Sequence, residues 1–232
     1  ASIAAFGDVR HTFISRQGAL FAEGFETPTR PAPIGFGLQR IDHVTTNVEK
    51  GQLAGWASFY ENIFGLENTR FFDIHTDKTG LYSRVMQSPD RVIKMPVNEP
   101  GSGTNQIQEF INVHHGPGIQ HIALETPSIV HSLRQLKSRG LAFLDAPPAT
   151  YYEAVAARMP GLQESLAELQ ELAILIDGSD KGYLLQIFTQ NLVGPSFYEV
   201  IQRAGDDGFG EGNFRALFEA IERDQIRRGD LK

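Results

Sequence analysis

The chain has 232 residues, 41% hydrophobic and 21% charged, with a formal net charge of −7 and no cysteine. This length suits one large domain or two small ones. Net acidity without a basic stripe argues against a nucleic-acid surface, no apolar run approaches the ~20 residues of a membrane span, and the missing cysteines exclude disulfides and thiolate sites.

The chain opens on ASIAAFGDVRHTFISR, which lacks the charged start and long apolar core of a signal peptide, so a cytoplasmic enzyme is expected. A short strand is predicted near RHTFIS. Residues 20–37 hold three prolines and three glycines with no helical period and read as a linker. The globular body begins at 38 with LQRIDHVTTNV, a strand. In GQLAGWASFYENIFG, Leu53, Trp56, Phe59, Tyr60, Ile63 and Phe64 recur at helical spacing, with Gly65 as the stop. ENTRFFDIHT, LYSRVMQS and RVIKMPVNE read as three strands, completing a βαβββ order. After a short helix in TNQIQEFINVHHGPG, the order recurs. GIQHIALET is a strand and SIVHSLRQLKSRG a helix. LAFLDAPP, ELAILIDG, GYLLQIFT and FYEVIQR read as strands, with helical material inserted over 149–172. The last segment, NFRALFEAIERDQIRRGD, is an amphipathic helix. The predicted fold class is α+β: two βαβββ modules, about 38–100 and 118–203, forming an open half-barrel, with a C-terminal lid helix.

Both modules open with the same pattern, Ile-x-His-(Val/Ile), around His43 and His121. Seventy-eight residues separate the two histidines, and 78 more lead to Glu199 in FYEVIQR, an acid inside an apolar strand. Burying an ionised carboxylate is costly unless it is paired or bound to a metal. Any single member of this set is more often an ordinary hydrogen-bonded core residue. Two histidines and one carboxylate converging from matched strands make up the 2-His-1-carboxylate triad that holds non-haem Fe(II) with open positions for substrate and O₂. The other histidines lack this placement. His114 and His115 sit in a loop beside Gly-Pro-Gly, His75 precedes a polar turn, His131 falls on an exposed helix face, and His11 lies outside the body. Gln186 in YLLQIF either pairs internally or points into a cavity. GDDGFGEGNF fits no phosphate loop and reads as a hinge before the last helix, which would serve as a lid.

IDHVTTNV, GIQHIAL, LLQIFT and the long FYEVIQRAGDDGFGEGNFRALFEAIERDQ together resemble the catalytic half of the 4-hydroxyphenylpyruvate dioxygenase family, within the vicinal-oxygen-chelate superfamily. The resemblance spans 38–230 and implies that residues 1–19 close a preceding non-catalytic domain. It implies Fe(II) held by His43, His121 and Glu199, and conversion of 4-hydroxyphenylpyruvate and O₂ to homogentisate and CO₂ in tyrosine and phenylalanine catabolism. Ser83, Asn98, Gln106, Gln120 and Gln186 match its polar substrate contacts, Gln186 with a catalytic part as well. Phe188, Phe197, Phe209 and Phe214 match its aromatic positions, and Asn213 precedes the last of them. A homo-oligomer is expected, with a small 2-oxo acid and O₂ as the only other partners. Hydroxymandelate synthase, which takes the same substrate and metal, is the nearest alternative, and a non-enzymatic binding module on the same scaffold is the second.

Overall fold

The computed structural model describes residues 1–15, 25–26, 35–75, 80–102, 105–147, 149–159 and 161–213. The predicted linker therefore lies largely, and the C-terminal helix apart from its first residue, Asn213, outside the described residues. In chain order the elements are β1 (Ser2–Ala4), β2 (Arg10–Thr12), β3 (Arg40–Asn47), α1 (Leu53–Phe64), β4 (Glu67–His75), β5 (Gly80–Gln87), β6 (Lys94–Pro100) and α2 (Gln106–His114). The second half adds β7 (Gly118–Glu125), α3 (Ile129–Ser138), α4 (Ala149–Arg158), α5 (Leu166–Glu171), β8 (Leu175–Ser179), β9 (Gly182–Phe188) and β10 (Phe197–Ala204).

β3 to β10 form one curled, mixed sheet in the order β4-β5-β6-β3-β7-β10-β9-β8. With each unit's strands counted one to four, this reads 2-3-4-1 and then 1-4-3-2, a pseudo-twofold arrangement about the junction of the two opening strands. In each unit the first and fourth strands run parallel, β3 with β6 and β7 with β10, and every other pairing is antiparallel. The junction itself, β3 against β7, is antiparallel, as a twofold requires.

The first helix of each unit buries its apolar stripe against its own strands. Leu53, Ala57 and Tyr60 of α1 join Val48, Met86 and Val97, whereas Ile63, assigned to the same face by spacing, is exposed. Ile129, Leu133 and Leu136 of α3 join Ile176, Leu185 and Val200. The symmetry extends to the caps. The Glu99 carboxylate, on β6, accepts from the Leu53 N–H at 2.9 Å, and the Gln202 side chain, on β10, accepts from the Ile129 N–H at 2.8 Å. In each unit the fourth strand thus satisfies a free N–H at the start of the helix. Gly65 ends α1 in the left-handed conformation, φ 64°, as its position after the periodic run predicts.

Three local expectations change. LAFLDAPP is not a strand; only Phe143 bridges to Thr189, because β8, β9 and β10 already complete the unit and the Pro147–Pro148 pair cannot donate to a ladder. β1, which the sequence did not reveal, pairs with β2. Their hairpin docks on the first unit, with Phe6 edge-on to Trp56 at 5.3 Å and the His11 Nε2 2.9 Å from the Tyr60 hydroxyl. His11 therefore belongs to the body of the fold.

Candidate metal centre

The register of β3, β7 and β10 brings the site together. His43 on β3 and Glu199 on β10 both lie opposite Ala123 of β7, so the three occupy one lateral row. His121, two residues before Ala123 and on the same face, lies in the next row opposite Thr45 and Phe197. One ligand atom from each of His43, His121 and Glu199 lies within 4.8 Å of the others, and all three residues are buried. One Glu199 oxygen, Oε2, is 3.3 Å from the Nε2 atoms of both histidines. The 78-residue step to Glu199 is not a third copy of the repeat. Glu199 sits on the fourth strand of the second unit, and parallel pairing with the first strand delivers it.

Two β-bulges orient the imidazoles. Ile41 opposes Leu124 and His43 opposes Ala123, which leaves Asp42 as the surplus residue of β3. Thr45 opposes His121 and Thr46 opposes Ile119, which leaves Gln120 as the surplus residue of β7. A bulge breaks strict alternation and re-aims side chains, so each histidine shares its side of the sheet with the residue before it. The His43 Nδ1 lies 2.8 Å from the Asp42 carboxylate and the His121 Nδ1 lies 3.1 Å from the Gln120 side-chain amide oxygen, Oε1. With each Nδ1–H donating to these acceptors, both Nε2 lone pairs point inward. This is the arrangement that metal-ligating histidines use to fix their tautomer.

Asp42 is fully buried and compensated. Arg203 donates to it twice, Nε to Oδ2 and Nη2 to Oδ1, both at 2.8 Å, and the Lys94 ammonium is 3.3 Å away. Burial alone would raise the Asp42 carboxyl, but the hydrogen bonds from Arg203 and His43 hold it well below the usual carboxylate range. Burial likewise opposes ionisation of Glu199, yet the attraction of His43 and His121 holds it down at about 2. For His43 burial is outweighed by Glu199 and Asp42, and its pKa is raised; for His121 burial prevails and its pKa is lowered. An anionic carboxylate and two imidazoles whose Nε2 atoms converge on it form a donor set that fits a divalent metal. The Glu199 Oε1 and His121 Nε2 have no hydrogen-bond partner among the described residues, as expected of atoms whose partner is a metal.

These ligands form one wall of a mainly apolar cavity. Of the sequence-predicted substrate contacts, Ser83, Asn98, Gln106, Gln120, Phe188 and Phe209 line it. Phe197 lies behind, stacked on the His121 ring at 4.9 Å. Gln186 is buried with both amide atoms unpartnered, close against Gly210. Asn213 is not among the lining residues; its Oδ1 accepts from the Tyr151 hydroxyl at 2.7 Å. Phe214 lies outside the described residues. Sequence reasoning missed Asp42, Arg203, Lys94 and Thr45. The signal for Asp42 was its place beside the histidine in the repeated motif. Thr45, two residues after His43, lines the cavity with its hydroxyl unpartnered.

Residues 40–163 match the family model described as Glyoxalase/Bleomycin resistance protein/Dioxygenase superfamily. The chain belongs to this superfamily. A protein of Pseudomonas sp. (strain P.J. 874) named 4-hydroxyphenylpyruvate dioxygenase is 52% identical over 204 residues, covering 86% of this chain and 57% of that protein. A protein of the same name from Legionella pneumophila (strain Corby) is 47% identical over 234 residues, covering all of this chain and 67% of that protein. The chain thus spans little more than half the length of the first relative. Among solved structures, a mutant of 4-hydroxymandelate synthase from Streptomyces coelicolor superposes with a TM-score of 0.78 at 34% identity, covering 97% of this chain and 67% of that one. The repeated βαβββ unit and the mirrored strand order are the form this superfamily takes here. No helix among the described residues is long and apolar enough to cross a membrane.

Proposed function

We propose that the chain carries the metal centre of an Fe(II)-dependent dioxygenase that converts 4-hydroxyphenylpyruvate and O₂ to homogentisate and CO₂. The observation that carries this reading is the buried His43–His121–Glu199 set on a cavity wall, in a chain about half identical to proteins of that name. Bound at these three ligands, Fe(II) supplies the open positions at which a 2-oxo acid chelates and O₂ is activated. The protein's part is to hold, orient and exclude water. His43 and His121 present Nε2 because Asp42 and Gln120 occupy their other nitrogens. Ser83, Asn98, Gln106 and Gln120, neutral and able to donate or accept, suit a phenol hydroxyl and a keto acid without adding charge. Phe188 and Phe209 bound the space for the aromatic ring, Phe197 backs His121, and Gln186, Asn213 and Phe214 complete the proposed contact set. The division into a remnant at 1–19, a linker at 20–37 and a catalytic domain at 38–232, the cytoplasmic location and the homo-oligomeric state are parts of the same proposal.

Product analysis tests it. Full-length protein with Fe(II), ascorbate, O₂ and 4-hydroxyphenylpyruvate should yield homogentisate by liquid chromatography and mass spectrometry. Hydroxymandelate would instead assign the chain to the synthase reaction of its structural neighbour, with the same ligands. Neither product from an iron-loaded sample would overturn the substrate assignment. Glu199→Gln, which keeps the shape but removes the anionic donor, should weaken Fe(II) binding at least tenfold and abolish turnover while the far-ultraviolet spectrum stays unchanged.

A further inference from the structure

Arg203 lies on β10 four residues after Glu199, on the same face by strand alternation, and its side chain is 8% exposed. Four of its five donors are engaged. Two hold Asp42, and both Nη1 protons go to backbone carbonyls beyond the strand, Asp206 at 3.0 Å and Gly208 at 2.6 Å. Its guanidinium also sits 5.8 Å from the ring centre of Phe209. Phe209 is buried, lines the cavity and meets the His43 ring edge-on at 5.4 Å. The guanidinium therefore reaches His43 by two routes, one through Asp42 to the back of the imidazole and one through the 206–209 backbone to the ring in front of it.

We propose that Arg203 is a positioning residue that clamps His43 from both sides, fixing the ligand through Asp42 and seating Phe209 against it. The proposal rests on the reading that His43, His121 and Glu199 hold a metal. A flat, five-donor fork is what the geometry uses: a carboxylate engaged by two parallel bonds and two carbonyls engaged from one nitrogen. A lysine keeps the charge but cannot make this set of contacts. Lys94, the other cation on Asp42, reaches it through a single atom and none of its hydrogen bonds goes to the 206–209 backbone. The clamp also sets the two histidines apart, since His121 has a neutral amide behind it.

The test is anaerobic Fe(II) affinity of the full-length protein, read by competition with a chromophoric chelator, beside metal-free melting curves. Arg203→Gln and Asp42→Asn should each weaken Fe(II) binding about 10- to 100-fold, the usual effect of removing a partner of a ligating histidine. The double variant should bind no more than about threefold weaker than the worse single, because both act through one chain of contacts. Arg203→Lys should remain at least about tenfold weak, separating position from charge; it also carries the test if Arg203→Gln does not fold. The dissociation constant of 4-hydroxyphenylpyruvate from the iron-loaded protein should rise more in Arg203→Gln than in Asp42→Asn, since only Arg203 seats Phe209. Wild-type Fe(II) affinity in folded Arg203→Gln and Arg203→Lys, or single losses that multiply in the double variant, would overturn the clamp. Absence of saturable Fe(II) binding in the wild-type protein would overturn the metal reading itself, and the clamp with it.

Discussion

Ala123 carries only a methyl group into the row it shares with His43 and Glu199, and it is completely buried. A larger side chain there would press between two ligands. Ala123→Leu should cost about 1–3 kcal/mol of stability from overpacking and lower Fe(II) affinity at least tenfold, seen in melting curves and chelator competition. The charged groups make a second prediction. Asp42 and Glu199 both have depressed pKa values in the fold, so their ionised forms stabilise the metal-free protein above the ordinary carboxylate range. That contribution is lost as pH falls through the folded values. For Glu199 the loss runs from the unfolded value of about 4.3 toward about 2. The melting temperature of the metal-free protein should therefore fall across this window, and Glu199→Gln should flatten the fall. At this scale the sequence was most informative where a residue type contradicted its surroundings, as Glu199 did among Phe197, Tyr198, Val200 and Ile201. It was least informative for Arg203, whose type is unremarkable near a strand end and whose importance comes from where the guanidinium lands.

Helices α1 and α3 were legible because their 3.6-residue period is physical, and the strands because short apolar runs end at turn residues. The bulges were not. Asp42 and Gln120 look, by alternation, as if they face away from the histidines that follow them. Each is the surplus residue of a bulge, and a bulge depends on the partner strand's register, which local pattern does not contain. LAFLDAPP failed for a related reason, since a run with strand-like composition becomes a strand only where the register gives it a ladder, and here only Phe143 forms a bridge, to Thr189. Two glycines separate backbone demands from site demands. Gly65 and Gly210 both have positive φ, 64° and 73°, but a Cβ meets nothing at Gly65 and approaches Gln186 Oε1 at 2.5 Å at Gly210. Either changed to Ala should cost about 1–2 kcal/mol for the left-handed backbone. Only Gly210→Ala should also alter ligand binding, because it moves a buried amide beside the cavity; calorimetry with 4-hydroxyphenylpyruvate would show the difference.

Among the described residues two main cores, one per unit, and two smaller clusters hold the fold together, with Val200 and Ile187 of the second core on the opposite face of the sheet from Glu199. Phe6 adds the β1–β2 hairpin to the first core, packed against Trp56 and 2% exposed. Phe6→Ala should destabilise the fold by about 3–5 kcal/mol while leaving Fe(II) affinity unchanged in the folded fraction, because the hairpin touches α1 and not the ligands. A parallel loss of metal and fold below the melting transition would contradict this separation. The pseudo-twofold also explains why the site falls at the junction. The two opening strands pair there, and a fourth strand lies beside each of them.

By itself the sequence determined most of the element order, the doubled βαβββ unit, the two histidines at equivalent places and the suspicion attached to Glu199, because periodicity and misplaced polarity are local properties. Only the tertiary structure decided that β10 runs parallel to β7 and so brings Glu199 opposite Ala123. It also decided that bulges turn Asp42 and Gln120 onto the imidazoles, and that Arg203 reaches back 161 positions to Asp42. Those facts depend on strand register and on contacts between segments far apart in the chain, which no window of neighbouring residues encodes.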